Sequence, residues 1–177
     1  MKKAVIFLCV LAVLLAAFGA AVTVSLVKSR EELAWRYFDQ WVSMHRMTEL
    51  VDYCLDGTLE GSAVLLQVNH EANYGLVNWS TDTDNIRLLL QDYETLLRIA
   101  SESQNPQQAE NCRELLAEIN GKMQQICREV LDACPKDDNR YTGGILPEDP
   151  AVKKALESWN AMYAEYLPEI EKIIKQS

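Results

Sequence analysis

The sequence predicts an all-α protein, an antiparallel bundle of four to five helices behind an N-terminal transmembrane helix. An uninterrupted uncharged run of 24 residues extends from Ala4 to Val27 near the start of the chain. Through most of the remainder, apolar side chains recur at spacings of three and four, which is typical of amphipathic helices packed in a bundle. Glycine and proline are sparse, with seven and five residues, and no stretch shows β alternation.

The uncharged run is long enough to cross a lipid bilayer as a helix. At a rise of about 1.5 Å per residue it covers roughly 36 Å, against a hydrocarbon core of about 30 Å. We therefore expect a retained anchor in residues 1–28, with residues 4–27 in contact with lipid. A cleaved signal peptide is the alternative, since Gly19-Ala20-Ala21 supplies small residues before a cut after Ala21.

The charges that flank the run bear on the orientation of the chain. Lys2 and Lys3 favour an N-terminus inside the cytoplasm, although Lys28 and Arg30 on the other side weaken that bias. With so short a segment before the run, we expect residues 29–177 to be exported. The domain is then membrane-bound outside the cytoplasm, or secreted if the signal is cleaved.

Residues 29–177 have the length of a single domain that can bury its own core. They carry 14 basic and all 26 acidic residues of the chain, a formal charge of −12. So acidic a surface repels nucleic acid and anionic lipid headgroups. A basic peptide, a cationic ligand or a basic protein patch remains open as a partner, and the charge also serves solubility.

The first three helices of the domain follow from apolar stripes and the breaks between them. The first helix is expected to continue directly out of the membrane segment and to end at the C-cap signal of Gly57. The second covers residues 59–79, and the polar cluster Ser80–Asp84 supplies N-caps for the third. One long helix over residues 59–103 is the alternative. The first stripe is Leu33, Tyr37, Met44, Met47, Val51 and Cys54, with Trp41 beside it.

Two Asx-Pro pairs open the last two helices. Asn105-Pro106 begins the fourth, which Pro135 terminates, and Asp149-Pro150 begins the fifth after a 15-residue loop at 135–149. Pro168 is expected to kink or restart the fifth helix. The stripes are Ala109, Cys112, Leu116, Ile119, Met123, Ile126, Val130 and Ala133, then Val152, Leu156, Trp159, Tyr163, Tyr166, Ile170 and Ile173.

The loop at 135–149 is the predicted recognition element, because long loops in compact domains are often functional. Arg140 and Tyr141 within it are the candidate binding residues, since both types are favoured in contacts. Disorder of this loop is the alternative interpretation.

Four cysteines lie in the domain, and the spacing predicts no metal site. No pair forms a C-x-x-C motif, and neither His45 nor His70 has a zinc-ligand partner at a recognisable spacing. The five-helix path places Cys54 and Cys134 at opposite ends of the bundle, so we expect no bridge between them. No nucleophile, phosphate-loop or dinucleotide motif occurs. The sequence therefore predicts no catalytic residues, no cofactor and no enzyme activity.

These observations favour a single-pass, outward-facing helical bundle that acts as a binding or assembly module with an unidentified protein partner. The alternative function is a sensory or ligand-binding bundle that signals through a partner.

Overall fold

The computed structural model describes the backbone of residues 2–74 and 84–175 and the side chains of residues 14–72 and 85–175. The described residues form five packed helices, so the predicted all-α bundle is confirmed. A two-stranded hairpin lies between the last two helices. The elements are α1 (Lys2–Leu55), α2 (Gly61–Tyr74), α3 (Asp84–Glu102), α4 (Pro106–Ala133), β1 (Lys136–Asp137), β2 (Arg140–Tyr141) and α5 (Pro150–Ile174).

Four of the helices contact one another in a ring, and the fifth packs on two of them and reaches the shared core, where Trp159 meets Trp41 of α1. α1 contacts α2 and α4, α3 closes the ring between α2 and α4, and α5 packs against α3 and α4. The side chain of Asn120 in α4 bonds Asp52 in α1 at 2.6 Å, and Arg128 bonds His45 at 3.3 Å. Since residue numbers rise along α4 as they fall along α1, the two helices are antiparallel.

Helix α1 runs without a break from the N-terminal segment into the bundle, as predicted. Its inward stripe is buried, but Leu33 remains 37 % exposed because the bundle begins to cover α1 only beyond it. The helix ends at Leu55, and Gly57 takes a positive φ of 81°, the left-handed conformation of a C-terminal cap. The fully buried side chains of the stripe are Tyr37, Trp41, Met44, Met47 and Val51.

The predicted transmembrane helix is not supported by the described residues. Within them, no helix holds a segment that is long and apolar enough to cross a membrane. The side chains of residues 1–13, which include the first part of the uncharged run, lie outside the described residues.

The predicted caps of α4 and α5 are present. The Asn105 side chain accepts hydrogen bonds from the backbone N–H groups of Gln107 and Gln108, and the Asp149 side chain caps α5 in the same way. The sequence predicted a kink or a restart at Pro168, and helix α5 continues through this residue to Ile174 without a restart. Pro168 lies on the exposed side of α5, where water can satisfy the backbone carbonyl that its ring leaves unbonded.

The core face of α5 is rotated slightly from the predicted stripe. Leu156 and Tyr163 are only half-buried, whereas Ala155 and Met162 are buried in their place. Because α5 packs against two helices, α3 and α4, its buried face is wider than a single stripe.

The path of the chain between α2 and α3 agrees with the five-helix prediction. The Asn69 amide in α2 donates to Glu94 in α3 at 3.1 Å, which places the two helices side by side. The predicted break at Ser80–Asp84 falls almost entirely on residues 75–83, which lie outside the described residues. Cys54 lies by the start of α2 and Cys134 beside the hairpin, at opposite ends of the bundle, and both are free thiols.

The loop at 135–149 is ordered and docks against α1. A two-residue turn at Asp138 and Asn139, both with positive φ, joins β1 to β2 in the manner of a type I′ hairpin. The Ile145 N–H donates to the Ala34 carbonyl at 3.2 Å. A Cβ atom at Gly144 would lie 2.2 Å from the same carbonyl group, so this close approach requires glycine. The loop therefore packs directly on the backbone of α1 where that helix enters the bundle.

Candidate functional site

The two residues predicted for binding lie on strand β2 but have different surroundings. The Tyr141 ring lies against Phe38 of α1, with centroids 4.6 Å apart, and the Lys136 ammonium group lies 4.9 Å from the Tyr141 centroid. Tyr141 lines two grooves beside α1. Arg140 is exposed, lines neither groove and forms no ion pair among the described residues. The structure therefore connects Tyr141, but not Arg140, with a concave surface.

The larger groove runs along the seam between α1 and α2 and has a volume of about 710 Å³. This volume is within the usual range of about 300–1,000 Å³ for small-molecule sites. One wall is apolar and aromatic, and the remaining lining is polar or charged. Its lining residues are Phe38, Asp39, Val42, Ser43, Arg46, Leu50, Gln67 and Tyr141. We call this surface the α1–α2 groove.

Three polar residues of α1 follow each other along the α1–α2 groove. Asp39, Ser43 and Arg46 are separated by four and three residues, which places them on one side of the helix. Asp39 and Arg46 are therefore about 10.5 Å apart along the helix axis, with Ser43 between them. Neither charged side chain forms an ion pair within the described part of the chain. The groove thus holds one cation and one anion that do not neutralise each other.

A buried carboxylate lies behind the lining of the groove. Glu71 of α2 is 1 % exposed, and its Oε1 accepts hydrogen bonds from Ser43 Oγ at 2.5 Å and Gln67 Nε2 at 2.9 Å. Its Oε2 atom is buried and has no hydrogen-bond partner among the described residues. Burial, and then the nearby Glu71 charge, raise the pKa of the Cys127 thiol well above its usual range. The carboxylate therefore lies where α1, α2 and α4 meet.

A smaller groove of about 320 Å³ lies on the other side of α1, against α4. Arg128 lines it and donates to His45 Nε2 at 3.3 Å and to Gln124 Oε1 at 3.2 Å. Asp132 at its edge is paired with Lys136 at 2.8 Å, and this bond is the main cause of the raised pKa of Lys136. Tyr141 of the hairpin lines both grooves, so the two grooves are neighbours on the surface around α1.

The described thiols and imidazoles do not combine into a metal site. Within the described residues, no three His, Cys, Asp or Glu side chains are close enough to hold a metal ion. Cys112 and Cys127 are buried in the core, and burial raises the pKa of Cys134 to about 11. Such thiols stay protonated at neutral pH and are poor ligands and nucleophiles.

The sequence prediction missed the charged residues that line the groove and the carboxylate behind them, although that carboxylate carries a sequence signal. Glu71 stands on the same face of α2 as Val64 and Val68, where an apolar side chain is expected. A carboxylate on a core stripe is unusual and could have been noticed. Asp39 and Arg46 carry no such signal, because solvent-facing helix positions commonly hold charges.

The chain matches no protein family, no curated protein and no solved structure. Its function is therefore inferred from its own residues.

Proposed function

We propose that the chain is a membrane-tethered helical bundle that binds or assembles with a partner outside the cytoplasm. The observation that carries this proposal is the apolar surface of α1 before the bundle. Seven large side chains there are between 40 % and 70 % exposed, although water-exposed apolar area is unfavourable. They are Leu14, Leu15, Phe18, Val22, Val24, Leu26 and Val27.

Lipid is the environment that best fits this exposed segment. The uncharged run holds 14 residues whose side chains are described, from Leu14 to Val27, which is fewer than the roughly 20 that a spanning helix needs. The sequence extends the run upstream to Ala4, for a total of 24 residues. In this proposal residues 4–27 lie in the bilayer, and the acidic domain faces away from anionic headgroups. Signal cleavage and secretion are the alternative fate.

The binding role is supported by the surface of the bundle around α1. The α1–α2 groove joins an apolar wall to charged groups that have no ion-pair partner among the described residues, an arrangement common in binding sites. The proposal assigns no catalysis and no cofactor, and the charge of −12 argues against nucleic acid.

A sensory bundle is the second proposal, and the continuity of α1 favours it. One unbroken helix carries both the apolar N-terminal segment and the lining of the groove. A ligand that moves this helix would therefore move the membrane segment, and a partner would carry the signal onward.

The orientation of the chain in the membrane tests the first half of the proposal, which is that the bundle is tethered to the membrane outside the cytoplasm. A C-terminal alkaline phosphatase fusion should be active, because that enzyme folds only outside the cytoplasm, and a C-terminal fluorescent protein exported by the same route should be dark. The full chain should stay with the membrane fraction after an alkaline carbonate wash. An inactive phosphatase fusion would contradict the outward orientation.

Photo-crosslinking tests the second half. A benzophenone residue at Val42, between the two grooves, should capture a partner protein in cells. The matched control is Leu66, which is 77 % exposed on α2 and lies outside both grooves. Equal crosslinking at the two positions would contradict a binding surface at α1.

A further inference from the structure

The α1–α2 groove has the chemistry of a site for a small zwitterion. Arg46 presents a planar guanidinium group that can hold a carboxylate with two parallel hydrogen bonds. Asp39 lies nearly two helical turns away on the same side of α1 and can accept hydrogen bonds from an ammonium group. Neither side chain has an ion-pair partner within the described residues. A ligand that carries both charges would satisfy both ends of the groove.

Ser43 lies between these two charges, and its hydroxyl oxygen can accept a hydrogen bond from a ligand. Its hydroxyl donates its only proton to Glu71 Oε1 at 2.5 Å. The lone pairs of Ser43 Oγ therefore remain for an ammonium donor in the groove. Gln67 donates to the same Glu71 oxygen at 2.9 Å, and Oε2 has no hydrogen-bond partner among the residues that the structure describes.

The buried Glu71 carboxylate determines which part of the groove favours a positively charged group. A buried carboxylate without a cation is costly, and no ion pair to Glu71 occurs in the described chain. Its negative charge lies behind Ser43, and Asp39 adds a second negative charge on the same part of the groove. An ammonium group is therefore favoured near Asp39 and Ser43, and a carboxylate is favoured only near Arg46.

The rest of the lining indicates which side chain a zwitterionic ligand would carry besides its ammonium and carboxylate groups. Phe38, Val42, Leu50 and Tyr141 form an apolar and aromatic wall beside the charged residues. Such a wall favours an apolar or aromatic side chain over a polar one.

We propose that the α1–α2 groove binds a free α-amino acid with an apolar or aromatic side chain. Asp39 and Ser43 hold its ammonium group, and Arg46 holds its carboxylate. This inference rests on the proposed binding role of the bundle, and it names the ligand class of that site.

The test is thermal unfolding of the full chain in nonionic detergent with defined probes. L-leucine or L-phenylalanine at about 10 mM should raise the unfolding midpoint, since a ligand that binds only the folded state stabilises it. N-acetyl-L-phenylalanine lacks the ammonium group and L-phenylalaninamide lacks the carboxylate, so neither derivative should raise the midpoint. No shift with either free amino acid, or equal shifts with the blocked derivatives, would overturn the inference.

Variants locate the site. Arg46→Gln and Asp39→Asn should each weaken binding of the stabilising amino acid by about tenfold or more, the usual effect of losing a charged hydrogen bond. Both side chains are exposed, so the midpoint without ligand should hardly change. Arg98→Gln on α3 is the matched control, because Arg98 is paired with Glu94 outside the groove. Equal losses of affinity in Arg98→Gln and Arg46→Gln would overturn the assigned site.

If neither amino acid raises the unfolding midpoint while crosslinking at Val42 still captures a partner, this inference alone is wrong. The proposed function would then stand.

Discussion

Replacing Asn120 with alanine should destabilise the bundle more than any exposed polar substitution on the same helix. Asn120 is fully buried, and its amide nitrogen donates to the Thr48 carbonyl at 2.8 Å and to Asp52 at 2.6 Å. Its carbonyl oxygen accepts the hydroxyl proton of Tyr93 at 2.6 Å. This one side chain therefore joins α1, α3 and α4 through three hydrogen bonds.

The cost follows from the groups that Asn120→Ala leaves behind. The Tyr93 hydroxyl is fully buried and would lose its acceptor, which typically costs about 1–3 kcal/mol. The two lost amide bonds and the small cavity add to this, although Gln124 still donates to Asp52. We expect a total loss of about 2–4 kcal/mol in the free energy of unfolding.

Guanidinium unfolding of the full chain in nonionic detergent measures this loss, with tryptophan fluorescence as the signal. Asn111→Ala is the matched control, because Asn111 is exposed on the same helix, and its effect should stay below about 0.5 kcal/mol. Tyr93→Phe should cost less in the Asn120→Ala background than in the natural chain, by about 1 kcal/mol or more. A loss below about 0.5 kcal/mol for Asn120→Ala would refute the role of this network.

Three further predictions test the loop, the core and the thiols. Gly144→Ala should destabilise the chain by about 1–3 kcal/mol through a clash with the α1 backbone, whereas Gly121→Ala in the open middle of α4 should stabilise it by about 0.5–1 kcal/mol in the same unfolding assay. Burial raises the pKa of Tyr37 from 10.0 to about 12. The contribution of Tyr37 to stability is therefore complete below pH 10 and is lost between about pH 10 and 12, because the unfolded chain ionises first. Between these pH values Tyr37→Phe should lose less of its unfolding free energy than the natural chain does. Maleimide labelling followed by mass spectrometry should modify half-buried Cys54 well before buried Cys127, and equal rates would contradict the described core.

Local sequence signals predicted most of the fold. The caps at Asn105 and Asp149 and the stop at Gly57 each act within a few residues, so their effect is visible in the sequence. The hairpin was not predicted, because strands of two residues are too short to show alternation. Its turn at Asp138-Asn139 was the only local signal, since both residue types tolerate positive φ.

The candidate site was less predictable than the fold. Tyr141 was predicted from its loop and lines the groove, but its contact with Phe38 joins residues more than 100 positions apart. The bond between Ser43 and Glu71 likewise depends on how α2 packs against α1. Periodicity gives the buried face of each helix but not its rotation against a distant neighbour. For this reason the charged lining of the groove emerged only from the packed structure.

Membrane attachment through the N-terminal part of α1 is the central claim, and charged substitutions there test it most directly. The double variant Phe18→Arg and Val22→Arg places two charges among the exposed apolar side chains, and each arginine costs roughly 2.5–3.5 kcal/mol near the centre of a spanning helix. The natural chain should float with membranes in a density gradient, and the double variant should shift to the soluble fraction. Leu66→Arg, at an exposed site on α2, should float like the natural chain. A natural chain that is soluble and begins at Val22 would contradict the account.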